Sequence, residues 1–329
     1  MLRSRAGVFW CAVLLACAPA ASFGQQQAAK DYPSRPIRLL VPYAPGGGID
    51  FVGHVLGPKI ARTIGQNLFI DNRGGAGGAI GTDIVAKSLP DGYTILLSSS
   101  AHASLPSIYK SLPYDPVKDF TPITLVANSA GFVLVVHPSV PARSVKQLIA
   151  LAKAQPGKLN YGSSGVGGVI QLATEAFNLM AGTQIAHVPF KGVGLAVLDL
   201  LAGRIDVIII PGPVGLAHIR SGKLRALGIT ATVRWSELPD VPTMDEAGLK
   251  GYRYVPWYGM WFPAGAPAEY VTRVRAEVVK AFEDPETKRM FAEQGLVPVA
   301  STPQEFSKTI VDEIEFHRRL VARIGLTPQ

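Results

Sequence analysis

Three glycine-rich segments carry the clearest potential for chemistry in this sequence. They cover residues 42–50, 73–81 and 161–168, and each lies between a short apolar run and a helical pattern. Glycine has no side chain, so the backbone N–H groups of such a loop can approach a ligand closely. The start of the following helix adds positive potential, which favours a carboxylate or a phosphate. The three loops therefore predict an anion-binding site, and the serines at 98–100, which follow another apolar run, add hydroxyl groups to it.

Each loop also has a simpler interpretation. Residues 42–50 can form a tight turn in which Asp50 caps the next helix, although three consecutive glycines exceed what a turn needs. Residues 73–81 can be a flexible linker, and Ser163 or Ser164 can be an ordinary helix cap. Because ligands of α/β sheets bind beyond the carboxyl ends of the strands, we expect the loops to converge there.

The motifs of the common enzyme classes are missing from the sequence. No P-loop, H-E-x-x-H or calcium loop occurs, and the glycine-rich segments do not match G-x-G-x-x-G. Residues 162–166 miss the nucleophile elbow G-x-S-x-G, and the six histidines lack metal-ligand spacing. We therefore expect no catalytic residue, metal or cofactor. One enzymatic alternative stays open, a serine hydrolase built from Ser163, His187 and Asp206, which residue type alone supports.

Short runs rich in Val, Ile and Leu alternate with helical patterns along the chain. The runs predict strands at 37–41, 68–70, 94–97, 123–126, 132–136, 185–188, 207–210 and 224–229. Helices are predicted over 51–64, with a kink at Gly57-Pro58, and over 144–154, 169–181, 193–201, 268–282 and 303–324. Continuous apolar strands are buried on both faces, as helix-flanked parallel sheets require. The alternation favours an α/β fold, and 329 residues favour two lobes over one sheet.

The composition excludes several classes of protein. Hydrophobic residues make up 48% of the chain, which rules out intrinsic disorder. No internal apolar stretch reaches the ~18 residues of a membrane span. The net charge of +8 comes from scattered Lys and Arg residues. Nucleic-acid-binding proteins concentrate such charge in a stripe, so we expect no nucleic-acid partner.

Residues 1–24 have the pattern of an export signal. A positively charged start, an apolar run over 6–18 and small residues after it are typical of a cleaved signal peptide. Cleavage would leave a chain without cysteine, because Cys11 and Cys17 both lie in this segment, and would exclude disulfides and thiol chemistry. Residues 14–17 also fit a lipobox, which would lipidate Cys17 and tether the protein to a membrane. Signal features that continue beyond Cys17 favour the cleaved form.

A set of short motifs runs through almost the whole chain after this signal. Each motif alone would be weak, but their combination is specific. They are Y-P-S-R-P-I (32–37), V-P-Y-A-P-G-G-G (41–48), A-G-G (76–78), P-D-G-Y (90–93), L-P-Y-D-P (112–116), P-G-K-L-N-Y (156–161), H-V-P-F-K-G (187–192), G-K-L-R-A-L (222–227) and L-P-D-V-P-T (238–243). In these motifs the sequence resembles the extracytoplasmic solute-binding proteins of tripartite tricarboxylate transporters, the Bug or TctC family.

The resemblance implies a two-lobed α/β fold of the type II periplasmic binding protein kind. Each lobe would be a helix-flanked, mostly parallel sheet, with lobe 1 formed by 30–125 plus 245–329 and lobe 2 by 126–244. A periplasmic monomer of this kind would hold a small carboxylate, a di- or tricarboxylate or an aromatic acid, in the cleft between its lobes. It would deliver the carboxylate to the membrane components of a transporter and perform no catalysis. A ligand sensor for a membrane signalling partner would use the same cleft and stays open.

The resemblance also implies which residues face the ligand. They are Tyr43, Gly47, Gly48, Asp50, Gly77, Gly78, Ser98, Ser163, Ser164 and Lys191. The sequence departs from the family at 211–213, where Pro-Gly-Pro replaces the polar residue that many relatives carry and makes this wall apolar. Trp257, Tyr258 and Trp261 can stack on an aromatic ligand or belong to the core, the commoner place for such residues. These features favour a plain or aromatic carboxylate over an amino acid.

Overall fold

The computed structural model describes residues 32–43, 45–190 and 192–328, so the export signal and Lys191 lie outside the described residues. The strands are β1 (Ile37–Val41), β2 (Leu68–Asn72), β3 (Thr94–Ser99), β4 (Phe120–Ser129), β5 (Phe132–Val136), β6 (Asn160–Ser163), β7 (Ala186–Pro189), β8 (Val207–Pro211), β9 (Arg225–Ile229), β10 (Trp257–Pro263) and β11 (Leu296–Pro298). The helices are α1 (Gly48–Ile64), α2 (Ala79–Ala86), α3 (Ala101–Ile108), α4 (Val145–Ala154), α5 (Val169–Ala181), α6 (Val193–Leu201), α7 (Gly212–Arg220), α8 (Ala268–Ala281), α9 (Pro285–Glu293) and α10 (Pro303–Ile324).

Each strand and helix predicted from the sequence is present, with its ends shifted by at most a few residues. Ser144 caps α4, since its side chain accepts a hydrogen bond from the backbone N–H of Gln147 at 3.2 Å. The helix predicted over 51–64 begins earlier, at Gly48, and continues as one helix through Pro58. Asp50 was expected to cap this helix, but Gly47 occupies the cap position and Asp50 lies in the first turn.

The strands form two sheets. The first has the order β11-β4-β10-β3-β1-β2 and the second has the order β7-β6-β8-β5-β9. Each sheet is mixed: β1 runs parallel to β2 and β3, and β6 runs parallel to β7 and β8, whereas the remaining pairs are antiparallel. Parallel pairs require crossover connections, which the helices supply. The two-lobed α/β fold expected from the sequence is confirmed, but the expected mostly parallel sheets are mixed, because β4, β5 and β10 run antiparallel to their neighbours.

Each sheet has its own apolar core. Leu40, Leu96 and Trp261 belong to the core of the first sheet, and Val135 and Ile209 belong to that of the second.

The long helix α10 joins the two cores, because Phe306 packs in the first and Leu320 in the second. Its start is fixed by a capping box, in which Thr302 and Glu305 satisfy each other's backbone N–H groups. In the described ranges, no helix is both long enough and apolar enough to cross a membrane.

Candidate functional site

A cavity of about 300 Å³ lies between the two sheets. Tyr43 and Gly77 line it from the loops after β1 and β2, and Ser99 lines it from the end of β3. On the other side it is lined by residues 164–168 after β6 and by Val169 at the start of α5. Between these loops, the cavity is lined by α3 and by Tyr109, the residue after it. The lining residues on α3 are Ala101, Ser104, Leu105 and Ile108. The cavity thus joins the strand ends of both sheets, where ligands of α/β folds bind.

Tyr43 presents a hydroxyl group to this cavity. The Tyr43 hydroxyl and Ser99 Oγ are 3.0 Å apart and share a hydrogen bond. Burial raises the pKa of Tyr43, and the hydrogen bond to Ser99 opposes this only in part. The hydroxyl therefore stays protonated at neutral pH and can donate to a ligand oxygen.

The Asp50 carboxylate holds the loop that carries Tyr43. This side chain is 7% exposed. Its Oδ2 accepts a hydrogen bond from Gly46 N–H, and its Oδ1 accepts one from Asn72 Nδ2–H, both at 2.9 Å. Asn72 Nδ2–H also donates to the backbone carbonyl of Tyr43 at 3.1 Å. Asp50 thus fixes the first loop against the end of β2.

The second glycine-rich loop packs directly on the first. A Cβ atom at Gly81 would lie 2.6 Å from the carbonyl oxygen of Arg73 and 2.8 Å from Cα of Pro42, so only glycine fits there. Gly77 and Gly78 have φ of +64° and +106°, in the left-handed region that favours glycine. A Cβ at Gly78 would lie 3.0 Å from the hydroxyl oxygen of Tyr43. The absence of side chains lets this loop close over Tyr43.

On the opposite side, a buried serine and a histidine position the third loop. Ser163 is fully buried, and its Oγ donates to the carbonyl of Gly165 at 3.0 Å and accepts from the N–H of Gly165 at 3.1 Å. Its Oγ also lies 2.6 Å from His187 Nε2. Since Ser163 already donates to Gly165, His187 must be the donor in this bond.

The His187 ring is itself held in place. It stacks on Tyr161 with the ring centroids 4.9 Å apart, and the Tyr161 hydroxyl donates to Glu175 Oε1 at 2.6 Å. Burial lowers the pKa of His187, so the ring is neutral at pH 7. Beyond Ser163, the backbone turns so that Ser164 lines the cavity and α5 begins beside it.

The arrangement lacks the third member of a hydrolase triad. Asp206 Oδ2 accepts a hydrogen bond from Asn160 N–H at 2.9 Å, at the opposite end of β6 from Ser163. Three residues of strand separate these ends, about 10 Å. Within the described part of the chain, Glu175 bonds to Tyr161, and no carboxylate bonds to His187.

The structure brings some of the sequence-predicted residues together and separates others. Tyr43, Gly77 and Ser164 line the cavity, and Gly78 adjoins Tyr43. Ser163 and Asp50 are buried behind the loops that they support, and Ser98 is 1% exposed in β3 opposite Gly259. Gly47 and Gly48 lie exposed at the start of α1, where the Tyr258 hydroxyl approaches Gly48.

The contribution of α3 to the cavity was not predicted from the sequence. Ala101, Ser104, Leu105 and Ile108 are spaced by three, one and three residues, which is the pattern of one helix face. This spacing could have indicated a helix, but the segment is short and contains Pro106, which is unfavourable inside a helix.

The tryptophans at 257 and 261 are core residues. Both are almost fully buried and pack against Phe306, with ring centroids 5.4 Å and 4.8 Å away. Their interpretation as core is confirmed, and the aromatic stacking considered for them is wrong, because Phe306 of α10 packs against both rings inside the core. Residues 211–213, expected to form an apolar wall of the cleft, are not among the described residues that line the cavity, and Gly212 packs against Trp235 at the start of α7.

Two α/β lobes with a ligand-sized cavity walled by loops from both define the class of periplasmic binding proteins. Residues 52–326 match the profile of the tripartite tricarboxylate transporter family receptor. The chain is 39% identical to the protein BugT of Bordetella pertussis over 300 residues, 90% of this chain and 91% of BugT. The chain belongs to the tripartite tricarboxylate transporter receptor family, a family of solute-binding proteins.

Solved structures agree with this assignment. A periplasmic transporter protein superimposes with a TM-score of 0.82 at 39% identity, over 90% of this chain and 99% of that one. The R. palustris protein Rpa4515 with adipate gives a TM-score of 0.84 at 32% identity, over 91% and 100%. MatC from Rhodopseudomonas palustris with bound malate gives 0.79 at 28% identity, over 88% and 100%. These relatives indicate an extracytoplasmic, periplasmic protein.

Proposed function

We propose that this protein captures a small carboxylate in the cavity between its lobes and delivers it to the membrane components of a tripartite tricarboxylate-type transporter. The observation that carries the proposal is the cavity itself, which is walled by hydroxyl-bearing and glycine-rich loops from both lobes. Two relatives at 32% and 28% identity were solved with adipate and malate, both small dicarboxylates.

The finer details belong to the same proposal. Lobe 1 comprises 30–125 plus 245–329 and lobe 2 comprises 126–244, and the two close on the ligand by a hinge motion. Residues 1–24 direct export and are removed, with lipidation at Cys17 as the alternative route. Tyr43, Gly47, Gly48, Asp50, Gly77, Gly78, Ser98, Ser163, Ser164 and Lys191 bind the ligand or hold the loops that bind it. The protein acts as a monomer and catalyses no reaction.

A bulky side chain introduced at the cavity wall tests the binding site. Gly77→Leu places a side chain at the cavity wall. Gly157→Leu is the control, because a Cβ atom there would meet nothing within 4 Å. Both glycines have a left-handed backbone, with φ of +64° at Gly77 and +71° at Gly157, so both substitutions introduce similar strain. We expect Gly77→Leu to lose ligand affinity by at least about 100-fold in titration calorimetry, with both variants equally destabilised. The probes are malate, adipate, citrate and benzoate. Equal affinity in the two variants would place the site elsewhere, and no binding of any carboxylate to the wild type would refute carboxylate capture.

Delivery to a transporter needs its own test. A pull-down of the ligand-loaded protein from membranes of its own organism should recover transporter components. Recovery of a signalling receptor instead would make the protein a sensor.

The hydrogen bond between Ser163 and His187 is the one observation that favours a hydrolase. Ser163 is fully buried and bonded to Gly165, so it cannot reach a substrate carbonyl as placed. We expect no turnover of p-nitrophenyl acetate above that of Ser163→Ala. Turnover that this substitution abolishes would replace the receptor proposal.

A further inference from the structure

A second cavity, of about 400 Å³, lies where the chain crosses between the two sheets. It is lined by residues of the segment 251–255, part of the connection from β9 of the second sheet to β10 of the first, and by Ser100 before α3. It is also lined by one face of α10, whose residues are spaced by three, one and three: Thr309, Asp312, Glu313 and Phe316. We call this space the crossover cavity. Its described lining residues differ from all of those that line the interlobe cavity.

His317 ties α10 to the crossing segment. A backbone carbonyl only accepts, so His317 Nδ1 carries the proton and donates to the carbonyl of Glu313 at 2.8 Å. His317 Nε2 then accepts from the Tyr254 hydroxyl at 3.3 Å. The ring is 1% exposed, and burial lowers its pKa to about 4, so it is neutral at pH 7. The walls of the crossover cavity are therefore held together by buried contacts.

Three polar side chains of the crossover cavity lack a partner among the described residues. The Glu313 carboxylate lies 3.8 Å from His317 Nδ1, but the neutral ring gives it neither a charge nor a proton. Arg253 makes no hydrogen bond and no ion pair in the described part of the chain. Ser100 is 4% exposed, yet its side chain does not cap α3. Because buried polar groups are normally hydrogen-bonded, this hydroxyl indicates a partner from outside the chain.

Arg253 and Glu313 offer opposite charges to one cavity without pairing with each other. Burial raises the pKa of Glu313 to about 7, and the charge of Arg253 opposes this only in part. Asp312, by contrast, is already paired with Lys308. Phe316 is 38% exposed and adds an apolar surface to the same space. The cavity thus combines a site for an anion, a site for a cation and an apolar ring.

We propose that the crossover cavity binds a zwitterion, an α-amino acid with an apolar side chain. The ligand carboxylate pairs with Arg253 and the ligand ammonium group pairs with Glu313. The Ser100 hydroxyl adds a hydrogen bond, and the apolar side chain of the ligand packs on Phe316. This site is separate from the interlobe cavity, so the protein would bind a second small molecule besides its carboxylate.

Three probes with the same carbon skeleton separate these contacts in titration calorimetry. L-Phenylalanine carries both charges, 3-phenylpropionate lacks the ammonium group, and phenethylamine lacks the carboxylate. Because each analogue leaves one charge of the cavity unpaired, we expect both to bind at least about tenfold more weakly than L-phenylalanine. Equal or tighter binding of either analogue would overturn the inference, as would the absence of L-phenylalanine binding.

Substitutions locate the binding of L-phenylalanine on the protein. Glu313→Gln and Arg253→Gln each remove one charge, and we expect each to weaken L-phenylalanine at least about tenfold. Glu315→Gln makes the same change on α10 outside the described lining and should have no effect. Affinity for malate and adipate should stay unchanged in all three variants. L-Phenylalanine binding that survives both cavity substitutions, or that Gly77→Leu abolishes instead, would place the amino acid in the interlobe cavity and refute the second site.

The charge of Glu313 gives an independent readout. The charged and titratable groups around it are Arg253 and Tyr254 of the crossing segment and Asp312 and His317 of α10. Burial lowers the pKa of His317 to about 4 and raises that of Tyr254 well above its usual value, so neither changes charge near pH 7. An ammonium group pairs with the ionised carboxylate, so L-phenylalanine should bind about tenfold more weakly at pH 6 than at pH 8. Glu313→Gln should remove this dependence, and a wild-type affinity that does not change with pH would contradict the pairing.

Discussion

The two sides of the cavity are held in place by different kinds of contact. On the first side, the loops at 42–50 and 73–81 are locked by backbone packing at Gly81 and by the buried Asp50 carboxylate. On the second side, the loop at 164–168 depends on side-chain hydrogen bonds, above all that between Ser163 and His187. Packing of backbone on backbone cannot relax, whereas a hydrogen bond can be broken and re-formed.

The difference assigns the two sides different roles in binding. The first side is preorganised, so changes in it should reduce stability and affinity together. The second side is held by side-chain hydrogen bonds, so we expect changes in it to reduce affinity more than stability. The ratio of the loss in affinity to the loss in stability therefore tests whether the two sides of the cavity differ in this way.

The largest effect is expected at Gly81. Gly81→Ala places a methyl group 2.6 Å from the Arg73 carbonyl oxygen, so two backbone segments must separate. We expect about 3 kcal/mol loss in the free energy of unfolding, measured with urea, and loss of detectable ligand binding.

Gly194→Ala is the matched control for this change. Gly194 lies in α6, and its added methyl group would meet nothing within 4 Å. Its free energy of unfolding should stay within about 1 kcal/mol of the wild type, and its affinity should not change. A stable Gly81→Ala variant that binds normally would show that the first side is not locked by packing.

A pH-dependent effect is expected at His102, which lies behind the first side on α3. This ring is 1% exposed among Phe120 and Trp261, and its Nδ1 has no hydrogen-bond partner. Burial lowers its pKa from 6.5 to about 4. Between these values the unfolded chain binds more protons than the folded one, so stability falls as pH falls from about 6.5 to about 4.

His102→Phe keeps the aromatic packing and removes the titrating group. We expect the acid-induced loss in the free energy of unfolding to be smaller in the variant by up to about 3 kcal/mol. Urea unfolding at several pH values between 4 and 7 measures it. His317, whose pKa burial also lowers to about 4, remains in both proteins, so the difference between them isolates His102. Identical pH profiles would contradict the neutral, buried state of His102.

A smaller loss is expected at Asp50. Asp50→Asn turns one oxygen into an amide donor, which must face either Gly46 N–H or Asn72 Nδ2–H. We expect about 2 kcal/mol loss in stability with a parallel loss in affinity, because a hydrogen bond to a buried carboxylate becomes a contact between two donors. Asp312→Asn, which removes an exposed ion pair with Lys308, should cost under about 0.5 kcal/mol. Lost affinity at unchanged stability would place Asp50 in contact with the ligand.

The sequence predicts the fold well where local pattern and tertiary environment agree. β5 at Phe132–Val136 and α10 at Pro303–Ile324 have the predicted bounds, since an apolar run and a capped amphipathic pattern determine them locally. β6 was missed because Asn-Tyr-Gly-Ser has no apolar run, and only its pairing with β7 and β8 makes it a strand.

Part of the site was also predictable from local sequence pattern. The glycine spacing predicted that Gly77 belongs to a ligand-binding loop, and the structure places Gly77 at the wall of the cavity. No local pattern shows that Ser163 lies behind the wall while Ser164 lies on it, because His187, 24 residues away, makes the contact that decides this. The placement of Ser163 and Ser164 depends on a contact between residues far apart in the sequence, so it could not be predicted from local sequence patterns.

The smallest effect is expected at His187, and it tests the second side. His187→Ala removes the donor to Ser163 Oγ, and the Ser163 hydroxyl can then turn away from Gly165. Since one hydrogen bond and the stacking on Tyr161 are lost, we expect about a tenfold loss in ligand affinity and about 1 kcal/mol in stability. His187→Gln can place its amide N–H close to the position of Nε2 and should recover most of the affinity.

The glutamine variant separates the hydrogen bond to Ser163 from the packing of the ring. Glutamine restores the hydrogen-bond donor but lacks the ring that stacks on Tyr161. If alanine and glutamine reduce affinity equally, the ring stacking and not the hydrogen bond holds the loop. If both variants lose stability and affinity in the same proportion as Asp50→Asn, the two sides are equally preorganised. A greater loss in affinity than in stability at His187 would instead identify the loop at 164–168 as the part of the cavity that is ordered mainly for binding.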